Sequence, residues 1–533
     1  MALNSLSFML FVAAVVAVYY LVPKKYQWIV LLVASYGFYL SSGIKQVIFL
    51  IGTTLFTYLS GRWMQKHRDA FQKELDALGP DATREQKLNM KKAVGKRIHR
   101  IQVATALANL GVLALIKLAD DLIPVFGGMF KWDTANALEN IIVPLGLSYY
   151  TFNSIGYLID VGRGKLTAEK NIAKFALFTS FFPSIVQGPL FRYGEVGTQL
   201  KASHDFDYDN LKYGAQLVLW GLFKKLVIAD RVAAIARTVF APGFDDYSGS
   251  QIFFGVLAYS FQIYGDFSGG TDITRGVAQM LGIDLPVNFE RPFFANSMGD
   301  FWRRWHMSLG AWMREFVFYP VMLSKPVTKV SKMMRKRYGG HIGKIVPSVA
   351  APLVVFFLIG IWHDVTPQYV TNGLYNAILI SASVAFAPVF KKITEKLHIN
   401  TETFSFRLFQ IARTFVLLCI SRIIVKAPSL GDAFKMIKAM FTDFDFAFLL
   451  GLDGGKIFTY GVDAKGMAVL FFAIMVLLVV GILQENGMKI RETLAKQNIL
   501  FRWLMVLALI CAILVFGMYG PGYDASAFIY GRF

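Results

Sequence analysis

Long runs of apolar residues, each close to the length of a membrane-crossing helix, dominate the hydrophobic pattern of this chain. A helix needs about 20 apolar residues to cross the hydrocarbon core of a bilayer. Such runs occupy residues 4–22, 27–42, 46–64, 101–119, 141–160, 345–362, 368–390, 404–424, 466–484 and 501–518. Together with interrupted segments in the middle of the chain, they predict an all-α polytopic membrane protein with about 11 to 13 transmembrane or re-entrant helices.

The middle of the chain departs from this regular pattern. Residues 172–190 are interrupted by two prolines, residues 211–240 contain a Lys-Lys pair, and residues 251–274 contain Asp266. Irregular backbone and charge are tolerated at membrane depth only where protein or a water-filled cavity covers them. Each feature alone has an ordinary structural explanation. Their clustering between residues 183 and 363 nevertheless indicates a polar cavity inside the helix bundle.

Composition excludes the main soluble classes. Of 533 residues, 55% are hydrophobic and only 17% are charged, and the mean hydropathy is +0.48. Soluble domains carry about 25% charged residues, and disordered chains or coiled coils have a still higher fraction of charged residues. Cys419 and Cys511 both lie in apolar runs and lack the spacing of a metal site.

Basic clusters indicate which segments face the cytoplasm. Residues 65–100 contain ten Lys and Arg, and residues 324–344 contain seven without any acidic residue. Lys and Arg accumulate in cytoplasmic loops beside anionic lipid headgroups. We therefore predict both segments inside and both chain termini outside. This bias also explains the formal charge of +20 without nucleic acid as a partner.

Two of the seven histidines lie in aromatic, largely apolar surroundings. As a continuous helix, the segment around His306 places Trp302, Trp305, His306 and Leu309 on one buried face. A lone histidine on such a face is most often a core residue. His363 ends an apolar run, where an imidazole can accept a proton near pH 7 or can instead bind a lipid headgroup.

Other catalytic motifs are missing from the sequence. There is no His-Glu-x-x-His, no phosphate-binding glycine loop and no Gly-x-Ser-x-Gly elbow. A general base without an evident nucleophile suggests direct transfer between two bound substrates, in which a deprotonated hydroxyl attacks an activated acyl group.

Four ordered motifs resemble those of the membrane-bound O-acyltransferase family. They are Asp-Phe-Ser-Gly-Gly-Thr-Asp at 266–272, Asn-Phe-Glu-Arg-Pro-Phe at 288–293, Phe-Trp-Arg-Arg-Trp-His-Met-Ser at 301–308 and Gly-Ile-Trp-His at 360–363. The chain is similar to the bacterial branch, which includes alginate and peptidoglycan O-acetyltransferases and teichoic-acid D-alanyl transferases. Asp364 and Asn376 stand where members often have Gly and His, so alginate specificity is not implied.

The resemblance implies a ring of membrane helices around a central funnel. It implies that His363 is the general base and that His306 orients the substrate or holds the thioester carbonyl. It implies substrate-binding or funnel positions at Gln187, Arg192, Asp266, Trp302, Arg304, Trp305, Trp362 and Asn376. No metal and no bound cofactor are expected, because the acyl donor is itself the activated substrate.

The resemblance also suggests a division of the chain into four regions. Residues 1–140 would hold N-terminal membrane helices with a basic cytoplasmic loop at 65–100, and residues 141–390 the catalytic core. Residues 391–518 would hold C-terminal membrane helices, and residues 519–533 an extracellular tail. The implied donor is acetyl-coenzyme A or an acyl carrier protein in the cytoplasm. The implied partner is an SGNH-hydrolase-like protein outside a bacterial cytoplasmic membrane, whose lipids surround the chain.

The C-terminal tail ends in Phe-Ile-Tyr-Gly-Arg-Phe at residues 528–533. Aromatic residues commonly anchor a chain at the membrane interface. The pattern also resembles the terminal Phe-Ile-Tyr-x-x-Phe signature of bacterial O-acylation systems. In that case Tyr530 would carry the acyl group as an ester, after His363 removes the phenol proton.

Three functions remain open from the sequence. The first is O-acetylation of an extracellular or cell-wall polysaccharide. The second is transfer of D-alanine from a carrier protein to teichoic acid. The third is transport of a polysaccharide or lipid, which the absence of an internal repeat disfavours.

Overall fold

The computed structural model describes residues 1–78, 83–119, 122–124, 143–241, 243, 247–452, 454–520 and 523–524. The described chain is helical, and its only bridge of the β type is an isolated antiparallel pair between Phe289 and Trp305. It divides into two compact units, of which one comprises Met1–Val218 and Ile273–Pro286, and the other Leu219–Asp272 and Val287–Tyr523. The all-α prediction is confirmed.

The first unit contains the N-terminal helices. They are Leu6–Leu21, Gln27–Leu40, Ile44–Ala77, Arg84–Lys117, Leu147–Arg163, Ile172–Ser180, Phe182–Ile185, Thr198–Lys201 and most of Tyr208–Leu222, with a π-helix at Tyr193–Gly197. Small polar side chains join them: Thr54 hydrogen-bonds Thr179 at 2.8 Å, and Asn109 donates to Thr57 at 3.2 Å. Such small polar contacts are typical of helix packing inside membranes.

The basic segment at 65–100 is mostly helical, whereas the sequence suggested a loop. Helix Ile44–Ala77 continues into it, and helix Arg84–Lys117 begins within it. Thr83 and Gln86 form a reciprocal capping box at the start of the second helix, which satisfies backbone donors that an irregular segment would leave to water. The charged residues therefore lie on helical extensions.

The second unit contains the remaining helices. They are Asp230–Val239, most of Gly249–Met280, Met298–Arg304, Met307–Met313, Tyr319–Met322, Lys325–Tyr338, Gly340–His363, Pro367–Ala385, Ala387–Lys396, Phe404–Lys426, Leu430–Thr442, Phe446–Leu449, Ala464–Glu485, Ile490–Ala495 and Ile499–Phe516. Two π-helices, Phe223–Ala229 and Arg314–Phe318, interrupt the regular pattern. Such π-turns often occur at functional sites.

Among the described residues, six helices are long and apolar enough to cross a membrane, and a seventh span arises if Pro367–Ala385 and Ala387–Lys396, bent by 58°, count as one. The chain is therefore a multi-pass membrane protein. The count of about 11 to 13 crossings also includes shorter segments such as Leu6–Leu21 and stays a prediction.

Candidate active site

His306 lies at a break between two short helices. Helix Met298–Arg304 ends before Trp305, whose backbone is extended, and helix Met307–Met313 begins after His306. His306 has φ 45° and ψ 52°, in the left-handed region, which side chains other than glycine seldom adopt. The continuous helix expected from the sequence is therefore wrong, and its common face of Trp302, Trp305, His306 and Leu309 does not arise from helical spacing.

Backbone pairing with residues 288–290 stabilises the break between the two helices. The backbone N–H of Glu290 donates to the carbonyl of Arg304 at 2.9 Å, and the N–H of Met307 donates to the carbonyl of Asn288 at 2.9 Å. Phe289 bridges Trp305 between these bonds. The backbone groups that leave the helix at the break are thus satisfied by residues 288–290, as buried backbone groups require.

The His306 ring is buried among an asparagine, a serine and aromatic side chains. It is 4% exposed, and its Nδ1 lies 3.1 Å from Asn288 Oδ1. Phe267 packs against the ring in an edge-to-face contact at 4.8 Å. Nε2 of His306 has no hydrogen-bond partner among the described residues, so this nitrogen remains available to a substrate group.

The structure brings the two motif histidines to the same indole. His363 is the last residue of helix Gly340–His363, and its ring lies 4.5 Å from that of Trp362. The Trp362 ring lies 6.3 Å from the His306 ring. Tyr369 stacks on His363 at 5.7 Å. His306, Trp362 and His363 therefore form one aromatic cluster in the second unit.

A cavity of about 250 Å³ adjoins His306. Its lining is mostly apolar and includes Trp302, Trp305, Leu309, Met313, Val355, Phe356 and Ile359, with Arg303 and Arg314 as charged members. The Trp302 indole donates to Asn376 Oδ1 at 3.0 Å. Asn376, which is fully buried, therefore fixes one wall of the cavity.

Asp266 belongs to a buried ion network. Its carboxylate lies 2.5 Å from Lys225 Nζ, which also pairs with Asp230 at 2.9 Å. Lys225 is 1% and Asp266 2% exposed. A buried charge is costly unless it is paired, so the observed role of Asp266 is to neutralise buried Lys225. Its role in binding substrate stays a prediction.

Arg304 is also held by carboxylates. It pairs with Glu485 at 3.0 Å and with Asp300 at 3.1 Å. Glu485 further pairs with Arg291 at 2.7 Å and with Arg407 at 3.0 Å. This cluster ties the motif segment to the ends of helices Phe404–Lys426 and Ala464–Glu485.

The remaining expected positions are found in the first unit or in the tail. Gln187 is 1% exposed, and its amide atoms have no hydrogen-bond partner among the described residues. Arg192 pairs with Asp160 at 2.9 Å. Tyr530 lies outside the described residues. Within the part of the chain that the structure describes, no group of three or more His, Cys, Asp or Glu is placed to hold a metal ion.

Asn288 and Ser308 are site residues that the sequence analysis did not assign. Both lie inside quoted motifs, but Asn288 stands 18 residues before His306, and no helical or strand period connects positions so far apart. Only the local pairing of residues 288–290 with the helix break brings them together.

Comparison with known proteins shows which family part of this chain resembles. Residues 165–335 match the sequence model of MBOAT, the membrane-bound O-acyltransferase family. The chain is similar to the probable alginate O-acetylase AlgI of Pseudomonas syringae pv. tomato, with 28% identity over 81% of this chain and 73% of the relative. It is similar to the peptidoglycan O-acetyltransferase of Helicobacter pylori, with 26% identity over 79% of this chain and 74% of the relative.

A third relative is named for the transfer of a different acyl group. The teichoic acid D-alanyltransferase of Bacillus subtilis is 31% identical over 48% of this chain and 62% of the relative. All three names describe transfer of an acyl group, and the resemblance to the family is confirmed over a range that includes the motifs at 266–272, 288–293 and 301–308. Over residues 165–335 the chain is thus similar to the membrane-bound O-acyltransferase family, and it is an acyltransferase.

Proposed function

We propose that this enzyme moves an acetyl group from a cytoplasmic thioester across the membrane, for O-acetylation of an extracellular or cell-wall polysaccharide. The relatives matched over about three quarters of their length are named O-acetylases of alginate and of peptidoglycan. The D-alanyltransferase match covers 48% of this chain, which makes D-alanyl transfer the second candidate.

The observation that carries the proposal is the cluster of His306, Trp362 and His363 beside an apolar cavity. In the proposed reaction His363 removes the proton of a hydroxyl, and the oxygen attacks the thioester carbonyl. The C–S bond then breaks, and the thiolate leaves and regains the proton, which gives an ester and a free thiol. A positioned base and a water-poor site are suited to this reaction.

A basic helix supports a polyanionic donor such as acetyl-coenzyme A. Helix Lys325–Tyr338 carries a row of Lys and Arg without an acidic residue, and it is tied to the helix that ends in His363 by a bond of 2.6 Å from Ser331 Oγ to the Gly343 carbonyl. A basic surface attracts phosphate-rich ligands. The same charges fit the positive-inside rule, so they support the cytoplasmic position of this helix in either case.

An external partner completes the proposal. Because the donor stays inside and a polysaccharide acceptor lies outside, a second protein has to collect the acyl group, and we propose an SGNH-hydrolase-like acyltransferase. The enzyme would reside in a bacterial cytoplasmic membrane with both termini outside. Tyr530 in the tail at 519–533 would carry the group between the funnel and the partner.

Donor use tests the proposal directly. Purified enzyme in lipid nanodiscs would be incubated with acetyl-coenzyme A labelled in the acetyl group, or with D-alanyl carrier protein, and thiol release would be followed. We expect release from acetyl-coenzyme A, and none above background in the His363→Ala variant. Release from the D-alanyl carrier alone would replace the first candidate by the second.

A further inference from the structure

The side-chain oxygen of Asn288 contacts three hydrogen-bonding groups of the motif around His306. Asn288 Oδ1 lies 3.1 Å from Nδ1 of His306, 3.1 Å from the backbone nitrogen of Ser308 and 2.8 Å from Ser308 Oγ. All the atoms involved are buried. Such a shared acceptor restricts the orientation of every group that contacts it.

The Ser308 backbone fixes the orientation of the Asn288 amide. A backbone N–H can only donate, so the amide atom that faces Ser308 has to be the carbonyl oxygen. Exchange of the amide oxygen and nitrogen would place two donors against each other. The assignment of Oδ1 therefore follows from chemistry.

The amide orientation in turn sets the state of the His306 ring. Because Oδ1 accepts, Nδ1 of His306 must carry its hydrogen, and in a neutral imidazole Nε2 then holds the lone pair. Nε2 is buried, and among the described residues nothing hydrogen-bonds to it. Nε2 of His306 can therefore accept a hydrogen bond from a donor.

Asn288 also supports the strained backbone at this position. Its carbonyl accepts from the N–H of Met307 at 2.9 Å, directly after the left-handed His306 with φ 45°. A non-glycine residue in this region is retained where its surroundings determine it strongly. One residue thus holds both the main chain and the ring of His306.

We infer that Asn288 is the positioning residue that holds His306 in its Nδ1–H tautomer, so that Nε2 accepts a hydrogen bond from an O–H or N–H group of a bound substrate. A thioester carbonyl, which needs a donor, would not be held by this nitrogen. The inference deepens the proposed function at the same site and depends on it for the identity of the substrate, but not for the tautomer.

Nitrogen NMR tests the tautomer without reference to activity. Full-length enzyme would be labelled with ¹⁵N-histidine in nanodiscs, and the His306 signals would be identified by their loss in His306→Gln. We expect an unprotonated Nε2 and a protonated Nδ1. A protonated Nε2 in the wild-type enzyme would overturn the inference, whether or not the enzyme transfers acetyl groups.

Two variants test the role of Asn288. Asn288→Leu removes the acceptor at similar size, and we expect mixed tautomers together with a kcat for thiol release that is lower by about 10-fold or more, while KM for the donor changes little. Asn288→Asp keeps an oxygen acceptor and should keep the Nδ1–H signal. Asn296→Leu, the same change at a nearby exposed position, is the matched control. An unchanged tautomer in Asn288→Leu would contradict the inference.

Discussion

The two motif histidines differ in their surroundings although both contact Trp362. His306 is almost fully buried, and its Nδ1 is bound by Asn288. His363 is half-buried at a helix end, stacks on Tyr369 and precedes the exposed Asp364. A proton acceptor has to exchange its proton with a substrate and then with a leaving group, so the less enclosed His363 is the better candidate for the base.

We therefore expect His363→Ala to lower turnover by about 10²- to 10⁴-fold, the usual cost of losing a general base. Expression and donor binding should be close to those of the wild type, since the His363 ring is only half-buried at the end of its helix. His341→Ala, a change at an exposed position on the same helix, is the matched control. Thiol release and equilibrium binding of the labelled donor measure the two effects. Acylation by His363→Ala near the wild-type rate would remove His363 from the mechanism.

The buried charged residues around Lys225 pair with one another inside apolar segments. Lys225 lies in the π-helix Phe223–Ala229 and reaches both Asp266 and Asp230. Gly265 and Gly269 allow this close approach, because an added Cβ would lie 2.8 Å from the Lys224 carbonyl and 2.7 Å from the Gly221 carbonyl. The pairing compensates the cost of burying these charges and joins the π-helix to helix Gly249–Met280.

At the level of elements, the sequence predicted the long helices well and the breaks poorly. Helices such as Gly340–His363 and Ala464–Glu485 follow from continuous apolar runs, because length and composition alone suffice. The break at His306 contains neither Gly nor Pro, and it forms because residues 288–290 pair with residues 304–307. A local pattern cannot reveal a break that a separate segment of the chain imposes.

The segment after helix Ile499–Phe516 is docked on the buried ion network. The N–H of Met518 donates to the Leu226 carbonyl at 3.0 Å, and Tyr523 Oη donates to Asp230 Oδ2 at 2.7 Å. Gly520 adopts φ 110°, which favours glycine over other residues. The chain that leads to the tail is thus held at a defined place in the second unit.

We expect Tyr523→Phe to release this segment without unfolding the helices. Loss of one hydrogen bond to a carboxylate should cost about 1.5–3 kcal/mol locally, and hydrogen exchange of residues 516–520 should accelerate while helix Gly340–His363 keeps its protection. Tyr519→Phe, a change at an exposed tyrosine of the same segment, should have a smaller effect. Equal exchange in wild type and Tyr523→Phe would show that the bond does not hold the segment.

At the scale of the whole molecule, the basic clusters predict how the chain is inserted. The segments at 65–100 and 324–344 should face the cytoplasm, and the acid-containing segment at 432–463 should face outwards. In a background without Cys419 and Cys511, we expect an impermeant thiol reagent to label Lys456→Cys in intact cells and to label Arg335→Cys only after permeabilisation. Labelling of residue 335 from outside would contradict the proposed orientation, because the basic helix proposed to attract the cytoplasmic donor would then face outwards.

In the proposed mechanism, the tail allows one membrane protein to serve an acceptor on the far side. A phenol with an ordinary pKa of about 10 is a weak nucleophile, but a neighbouring base such as His363 can activate it. If Tyr530 carries the acyl group, an acetylated C-terminal peptide should be detectable by mass spectrometry after incubation with acetyl-coenzyme A. That peptide should be absent from the His363→Ala variant, because the phenol would no longer be activated.

Tyr530→Phe separates a carrier from an anchor, because phenylalanine keeps the apolar ring that settles at the membrane interface and removes only the hydroxyl. We expect this variant to fold and to bind the donor but to lose acetylation of the polysaccharide. Phe533→Leu, which alters the aromatic end and leaves the phenol in place, is the matched control and should retain an acylated peptide. Full polysaccharide acetylation by Tyr530→Phe would reduce the tail to an anchor or a docking element, and would require the acyl group to pass directly from the thioester to the external acceptor.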